Sequence, residues 1–211
     1  MLRSVFLAME FAAVFVIFPL LVYNRWIPNL PIPYLLFIAL LAFLLLWRDP
    51  AFNVSQLASW GNAGAFLSKI LIRDAVCLVG LGMAVYLLAP QLLFSLIRSS
   101  PRIWVLIFLL YPLVSVYPQE LLYRAFFFHR YERLFGRGWG MMVASAMAFG
   151  FVHIIFGNWV AVGLCAIGGL LFSVTYQTSG SFLLACLDHA IFGNFIFTIG
   201  LGRFFYHGFR P

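Results

Sequence analysis

Charge is what this chain has least of. Only 9% of its 211 residues are Asp, Glu, Lys or Arg, against about 25% in a soluble domain, which excludes an ordinary water-soluble globule. Cysteine is scarce too: Cys77, Cys165 and Cys186 lie inside apolar runs without CxxC spacing. That excludes a disulfide framework or a cysteine metal site and leaves buried, inert thiols. There is no ten-residue alternation of apolar and polar positions, so a transmembrane β-barrel is excluded. Internal repeats and low-complexity tracts are also missing, which argues against a small transporter built from repeated halves around a Glu/His proton relay. The formal charge is +7, but the basic residues sit in short loops, as the positive-inside tendency requires. No exposed basic, aromatic-rich domain remains to bind nucleic acid.

What is present is hydrocarbon. The chain is 64% hydrophobic, with a mean hydropathy of +1.03. Its apolar runs are continuous and helix-length, which predicts an all-α, polytopic transmembrane bundle of about seven helices (six to eight). The predicted helices cover residues 4–23, 34–47, 71–96, 102–128, 139–156, 159–177 and 182–201. The first follows Arg3 much as a signal peptide would, but it continues to Tyr23 without a small-residue cleavage site and reads as a retained span. The third carries Arg73 and Asp74 in its first turn, after a more polar interfacial segment over 51–68. A bend or break is expected in the fourth at Pro112 and Pro118. The organisation predicted is one integral unit, with N-terminal helices and the interfacial segment over 1–100 and a core over 101–203.

With the N-terminus cytoplasmic, eight basic residues fall on that side (Arg3, Arg48, Lys69, Arg73, Arg124, Arg130, Arg133 and Arg137). Five fall opposite: Arg25, Arg98, Arg102, Arg203 and Arg210. The bias favours this orientation.

Three ionisable groups interrupt the apolar stretches, and such groups at bilayer depth face a protein interior or wet cavity and often mark function. In Gln119-Glu120-Leu121-Leu122-Tyr123-Arg124, Glu120 and Arg124 are four residues apart on one helix face. Arginine there can hold the carboxylate ionised and fix its rotamer; a purely structural buried pair explains the spacing equally well. In Phe149-Gly150-Phe151-Val152-His153, Phe149 shares a face with His153. The Gly136-Arg137 turn lies midway between Glu120 and His153, so both rise to similar depth, roughly 20 Å from the loop, and can share one water. A lone histidine in an apolar helix is more often a bonded core residue, but a common depth changes that weighting. Asp188-His189-Ala190-Ile191-Phe192-Gly193-Asn194 adds a third group about 15 Å from the Ser179 turn. A water polarised by a carboxylate and a histidine, with histidine and asparagine donors nearby, suits amide hydrolysis with oxyanion stabilisation.

The ordered motifs QELLYR, FGFVH and HAIFGN resemble the signature of the intramembrane CAAX-protease and bacteriocin-processing (CPBP) family, EExxxR, FxxxH and HxxxN or HxxxD. The resemblance covers about residues 100–200. It implies a membrane-embedded endopeptidase, hydrolysing a membrane-associated, possibly lipidated peptide with a glutamate-activated water. The catalytic set is then Glu120, His153, His189 and Asn194, supported by Arg124, Gln119 and Phe149. That resemblance, with compactness, also favours a bacterial inner membrane.

Two departures stand out. Gln119 replaces the first glutamate of the pair, to which the family's catalytic role is usually given, so either Glu120 activates water or activity is altered or lost. Asn194 follows His189 by five residues rather than four, which predicts a π-bulge near Gly193. No cofactor is expected; the alternative is zinc on Glu120, His153 and His189. The rival to an enzyme is an immunity or scaffold protein that keeps the fold and binds peptides. Glu10, His129, Asp188 and His207 read as structural or interfacial, and the run 204–206 as an aromatic belt.

Overall fold

Seven apolar helices carry the chain in the computed structural model, which describes residues 2–206; His207 and Arg210 lie outside that range. We label them α1 (Leu2–Tyr23), α2 (Pro31–Arg48), α3 (Ala63–Leu88), α4 (Pro101–Arg130), α5 (Trp139–Phe156), α6 (Trp159–Ser179) and α7 (Phe182–Thr198). The first six are long and apolar enough to cross a membrane; α7 is apolar and shorter. No strand occurs among the described residues. Large aliphatic side chains cover the outside, with Leu88 84% exposed and Val76 68%. In water such a surface would be an association liability, and against acyl chains it is the expected exterior. The protein is an integral, multi-pass membrane protein.

Local chemistry sets the ends of the helices. Pro31 and Pro101 occupy first-turn positions, where the missing N–H is no loss. Asn158 accepts from the Ala161 amide at 2.8 Å and Ser181 from the Leu184 amide at 3.0 Å, capping α6 and α7. Gly180, at φ 63°, closes α6 in a left-handed turn.

The third helix departs from the sequence expectation. It begins at Ala63 and ends at Leu88, with a 3₁₀ turn (Pro90–Leu92) and a short helix (Ser95–Ser99) following. Arg73 and Asp74 therefore lie about three turns inside it, not in its first turn. Lys69 and the polar residues before it interrupt the hydropathy, so the apolar run read from sequence starts only at Leu71. Tertiary partners remove that penalty: Arg73 reaches Asp74 at 2.6 Å and Asp188 at 2.7 Å, and Thr175 donates to Asp188 at 2.5 Å.

The helix α4 is continuous from Pro101 to Arg130, so the chain does not break at either proline. It carries two π-helical segments, Pro112–Val116, opened by the first proline, and Leu121–Phe126, with Pro118 in the regular turn between them. A proline removes one i to i−4 bond, and widening the turn absorbs the insertion without breaking the rod. The helices α5 and α6 approach closely through small residues. A Cβ on Gly150 would lie 2.7 Å from the Ala166 Cβ, and one on Gly169 would lie 2.9 Å from the Phe149 ring. Small residues at such contacts are the usual basis of helix association in lipid. The first helix is tied to α4 by Arg130, which donates twice to Glu10, at 2.6 and 2.9 Å, with Tyr131 adding a third bond.

Candidate active site

Glu120 is fully buried. Its Oε1 lies 2.8 Å from His189 Nδ1, and its Oε2 lies 3.1 Å from Arg124 Nε, an ion pair without hydrogen-bond alignment. Arg124 is itself fully buried and donates from Nη2 to the Gly169 carbonyl at 3.0 Å. The rest of its guanidinium is covered by aromatic faces, 5.0 Å from the Phe149 ring and 5.5 Å from Phe172, an arrangement that favours a desolvated cation. Carboxylate and guanidinium balance, which is what low-dielectric surroundings demand. His189 stacks on Phe172, with centroids 4.5 Å apart and planes 16° apart.

Bonding partners assign the His189 tautomer. An ionised carboxylate only accepts, so Nδ1 donates to Glu120, and in the neutral imidazole Nε2 is left as an acceptor. The Tyr111 hydroxyl lies 3.1 Å from that nitrogen and donates to it. The result is a chain from carboxylate to imidazole to phenol across α4 and α7.

The front of this chain faces a cavity of about 690 Å³, which opens between the helices and is lined mostly by apolar side chains. Tyr111, Ser115, Gln119, His153 and His189 supply much of its polar lining. Neither Glu120 nor Arg124 reaches it, and no carboxylate lines it among the described residues. Gln119, at the adjacent position, points where Glu120 does not: its amide donates to Ser115 Oγ at 2.7 Å at the cavity wall. One residue is worth about 100° of helix rotation, enough to separate a cavity side chain from a core one.

His153 arrives from the end of α5. It caps the regular helix ending at Val152 and starts a 3₁₀ turn closed by Gly157 at φ 73°, so it sits in the last turn of its span rather than at its middle. Its Nδ1 donates to the Phe149 carbonyl at 2.7 Å. The other nitrogen, Nε2, is therefore the acceptor. The Phe149 ring lies between the two imidazoles, with centroids 4.9 Å from His153 and 5.4 Å from His189.

Asn194 is not in the cavity wall. Its amide donates to the Phe108 carbonyl at 3.3 Å. Pro112 has no N–H to offer that carbonyl, and Asn194 supplies a donor from α7 instead. The π-bulge expected near Gly193 is absent, because α7 is regularly α-helical from Phe182 to Thr198. Realignment is unnecessary here: the space beside Gly193 holds the Tyr111 ring, and any Cβ there would collide with it.

Residues 98–196 match the family model described as type II CAAX prenyl endopeptidase Rce1-like. Over that stretch, just under half of the chain, the sequence is similar to the CAAX-protease family. No curated protein and no solved structure matches the chain.

Set against that family's three motifs, the first altered at Gln119 and the third at Asn194, this chain distributes the chemistry differently. Of the residues that the motifs nominate, Gln119, Phe149, His153 and His189 line one cavity, Glu120 and Arg124 stand behind it, and Asn194 faces elsewhere. The motifs do not point to Tyr111, Phe172 or Ser115. Tyr111 precedes Pro112 directly, and a polar aromatic beside a helix-distorting proline is the one local signal that marked it.

Zinc does not fit Glu120, His153 and His189 as a shared site. Both His189 nitrogens are engaged, one Glu120 oxygen faces that imidazole and the other a buried guanidinium. Only His153 Nε2 remains as a nitrogen donor, and zinc takes three or four protein ligands. Among the described residues no group of three His, Cys, Asp or Glu is arranged to hold a metal ion.

A second ionic cluster lies beside the site. Asp188, next to His189, and Asp74 share the single cation Arg73, and each keeps one buried oxygen without a hydrogen-bond partner. It fastens α7 to α3 and α6. His129 meets Asp49 at 2.9 Å at the far end of α4, an end-of-helix tie rather than part of the cavity.

Proposed function

We propose that the protein is an intramembrane peptide hydrolase in which His153, not Glu120, takes the proton from water. The observation that carries this reading is the division between Gln119 in the cavity wall and Glu120 behind it, which leaves His153 Nε2 as the base available to a water there. A neutral imidazole with one nitrogen tied to a carbonyl is a suitable general base. Water attacks the scissile carbonyl as its proton passes to Nε2, and the tetrahedral oxyanion forms. Collapse breaks the C–N bond while His153 returns the proton to the departing amine. Gln119 orients the water or the peptide as a neutral hydrogen-bonding group. Glu120 and Arg124 are positioning residues acting through His189.

The substrate proposed is a peptide anchored by an apolar tail. A cavity of this size with an apolar lining takes a hydrophobic chain directly from the bilayer, and the family name contributes the prenylated CAAX terminus as the first class to assay. The organisation proposed keeps residues 1–100 and 101–203 as one unit, because Phe18, Tyr34 and Cys77 line the same cavity as His153. A bacterial inner membrane with a cytoplasmic N-terminus is proposed from the family resemblance alone, because Lys69, Arg73 and Arg124 lie inside α3 and α4 and the remaining loop charges are balanced.

A second reading has its own support. With no carboxylate facing the cavity among the described residues, a member that binds such peptides without cutting them is chemically coherent. The experiment is cleavage of a farnesylated CAAX peptide by the full chain in nanodiscs, with Gln119→Glu beside it. Turnover by the unaltered chain that disappears in His153→Ala supports hydrolysis. Binding without turnover, with cleavage gained only in Gln119→Glu, supports the binding protein.

A further inference from the structure

We infer that Tyr111 is the oxyanion donor of this site, taking the role that an amide four residues after the motif histidine would otherwise fill. The inference rests on the hydrolytic reading of the cavity and adds a residue to it. Three observations converge. The Tyr111 hydroxyl lies 3.1 Å from His189 Nε2 and faces the same cavity as His153. Position 193, four residues after His189, is glycine, and the space that a side chain there would enter is filled by the Tyr111 ring. Asn194, the nearest amide on α7, is committed to the Phe108 carbonyl.

The two positions therefore form a complementary pair: the glycine makes room and the phenol fills it with a hydroxyl at the histidine's edge. Pro112 follows Tyr111 and opens the π-helical segment Pro112–Val116, which sets the direction of α4 where the ring enters. At rest the hydroxyl donates to His189 Nε2. As negative charge develops on the scissile oxygen, rotation about the Cζ–O bond transfers that single donor to the oxyanion, without moving the ring. The exchange is favourable because a hydrogen bond to an ionised acceptor is roughly twice as strong as one to a neutral acceptor. Glu120, by fixing the His189 tautomer, keeps Nε2 an acceptor and so keeps the phenol proton pointed at the site.

The test uses the full chain in nanodiscs and three probes: a farnesylated CAAX peptide, the same peptide with a phosphinate at the scissile bond, and its uncleaved ketomethylene isostere. The phosphinate mimics the tetrahedral oxyanion and the ketomethylene keeps a planar carbonyl. Tyr111→Phe, which keeps the ring, is expected to lower kcat roughly 100-fold with KM little changed. It should weaken the phosphinate by a similar factor and leave the ketomethylene alone. Tyr111→Ala combined with Gly193→Asn is expected to recover part of the phosphinate affinity lost in Tyr111→Ala alone. Equal weakening of both isosteres, no weakening of either, or no binding of the phosphinate to the unaltered chain overturns the assignment. Absence of turnover in the unaltered chain, with the phosphinate preference still dependent on the hydroxyl, overturns hydrolysis but leaves Tyr111 as the anion-facing donor.

Discussion

Glu120 and His189 meet at 2.8 Å behind the cavity wall, on helices whose contacting residues are 69 positions apart in sequence. The carboxylate thus serves the imidazole rather than the solvent. Because Arg124 is fully buried beside it, Glu120→Gln leaves a guanidinium without a counter-charge. Breaking a buried pair from one side costs about 3–5 kcal/mol, whereas replacing both partners is often neutral. Glu120→Gln is therefore expected to lower the thermal midpoint in detergent more than Glu120→Gln with Arg124→Met. A single variant as stable as the parent would show that the pair contributes nothing.

His153→Ala is expected to lower peptide turnover about 10²- to 10⁴-fold, the range for a lost general base, with expression retained. Its imidazole makes one hydrogen bond, to its own helix, and packs edge-on against Phe149 and Phe205, so a lowered melting point is expected beside the loss of turnover. Turnover equal to that of the parent would remove His153 from the mechanism.

Gln119→Glu puts a carboxylate into the cavity wall beside Ser115, whose hydroxyl can turn to donate where it now accepts. A carboxylate there adds a second base to the cavity beside His153, so turnover is expected to rise at least 10-fold within the range of general-base effects. A fall would show that the neutral amide is itself needed.

Exhaustive chelation is expected to leave turnover intact, since the nitrogen and carboxylate donors are committed to one another. Loss on phenanthroline treatment with recovery on added zinc would contradict this and require the Glu120–His189 bond to open.

The two carboxylates around Arg73 make opposite forecasts. Arg73→Met removes the cation that pairs with both Asp74 and Asp188 and is expected to destabilise the fold by about 3–5 kcal/mol. Asp74→Asn removes the surplus negative charge and is expected to cost far less. Melting of the two variants in the same detergent compares them directly. Equal losses would mean that charge balance does not govern the cluster.

Much of this was legible along the chain. The class and the seven helices followed from hydropathy, because lipid imposes the same requirement on every span: apolar length with internal backbone bonding. Helix ends at Pro31, Asn158 and Ser181 were close to expectation, because caps act within a few residues. The start of α3 was not legible, since Asp188 and Thr175, which satisfy Arg73 and Asp74, lie a hundred residues away.

The site divides in the same way. Residue spacing alone determined that a carboxylate, an arginine and two histidines recur inside apolar helices at related depths, because helix rise and side-chain periodicity are local properties. Which of two adjacent residues faces the cavity, and that a tyrosine fills the gap left by Gly193, was decided only in three dimensions. Both depend on how α4, widened into π turns, rotates against α7, and no window of sequence contains both helices.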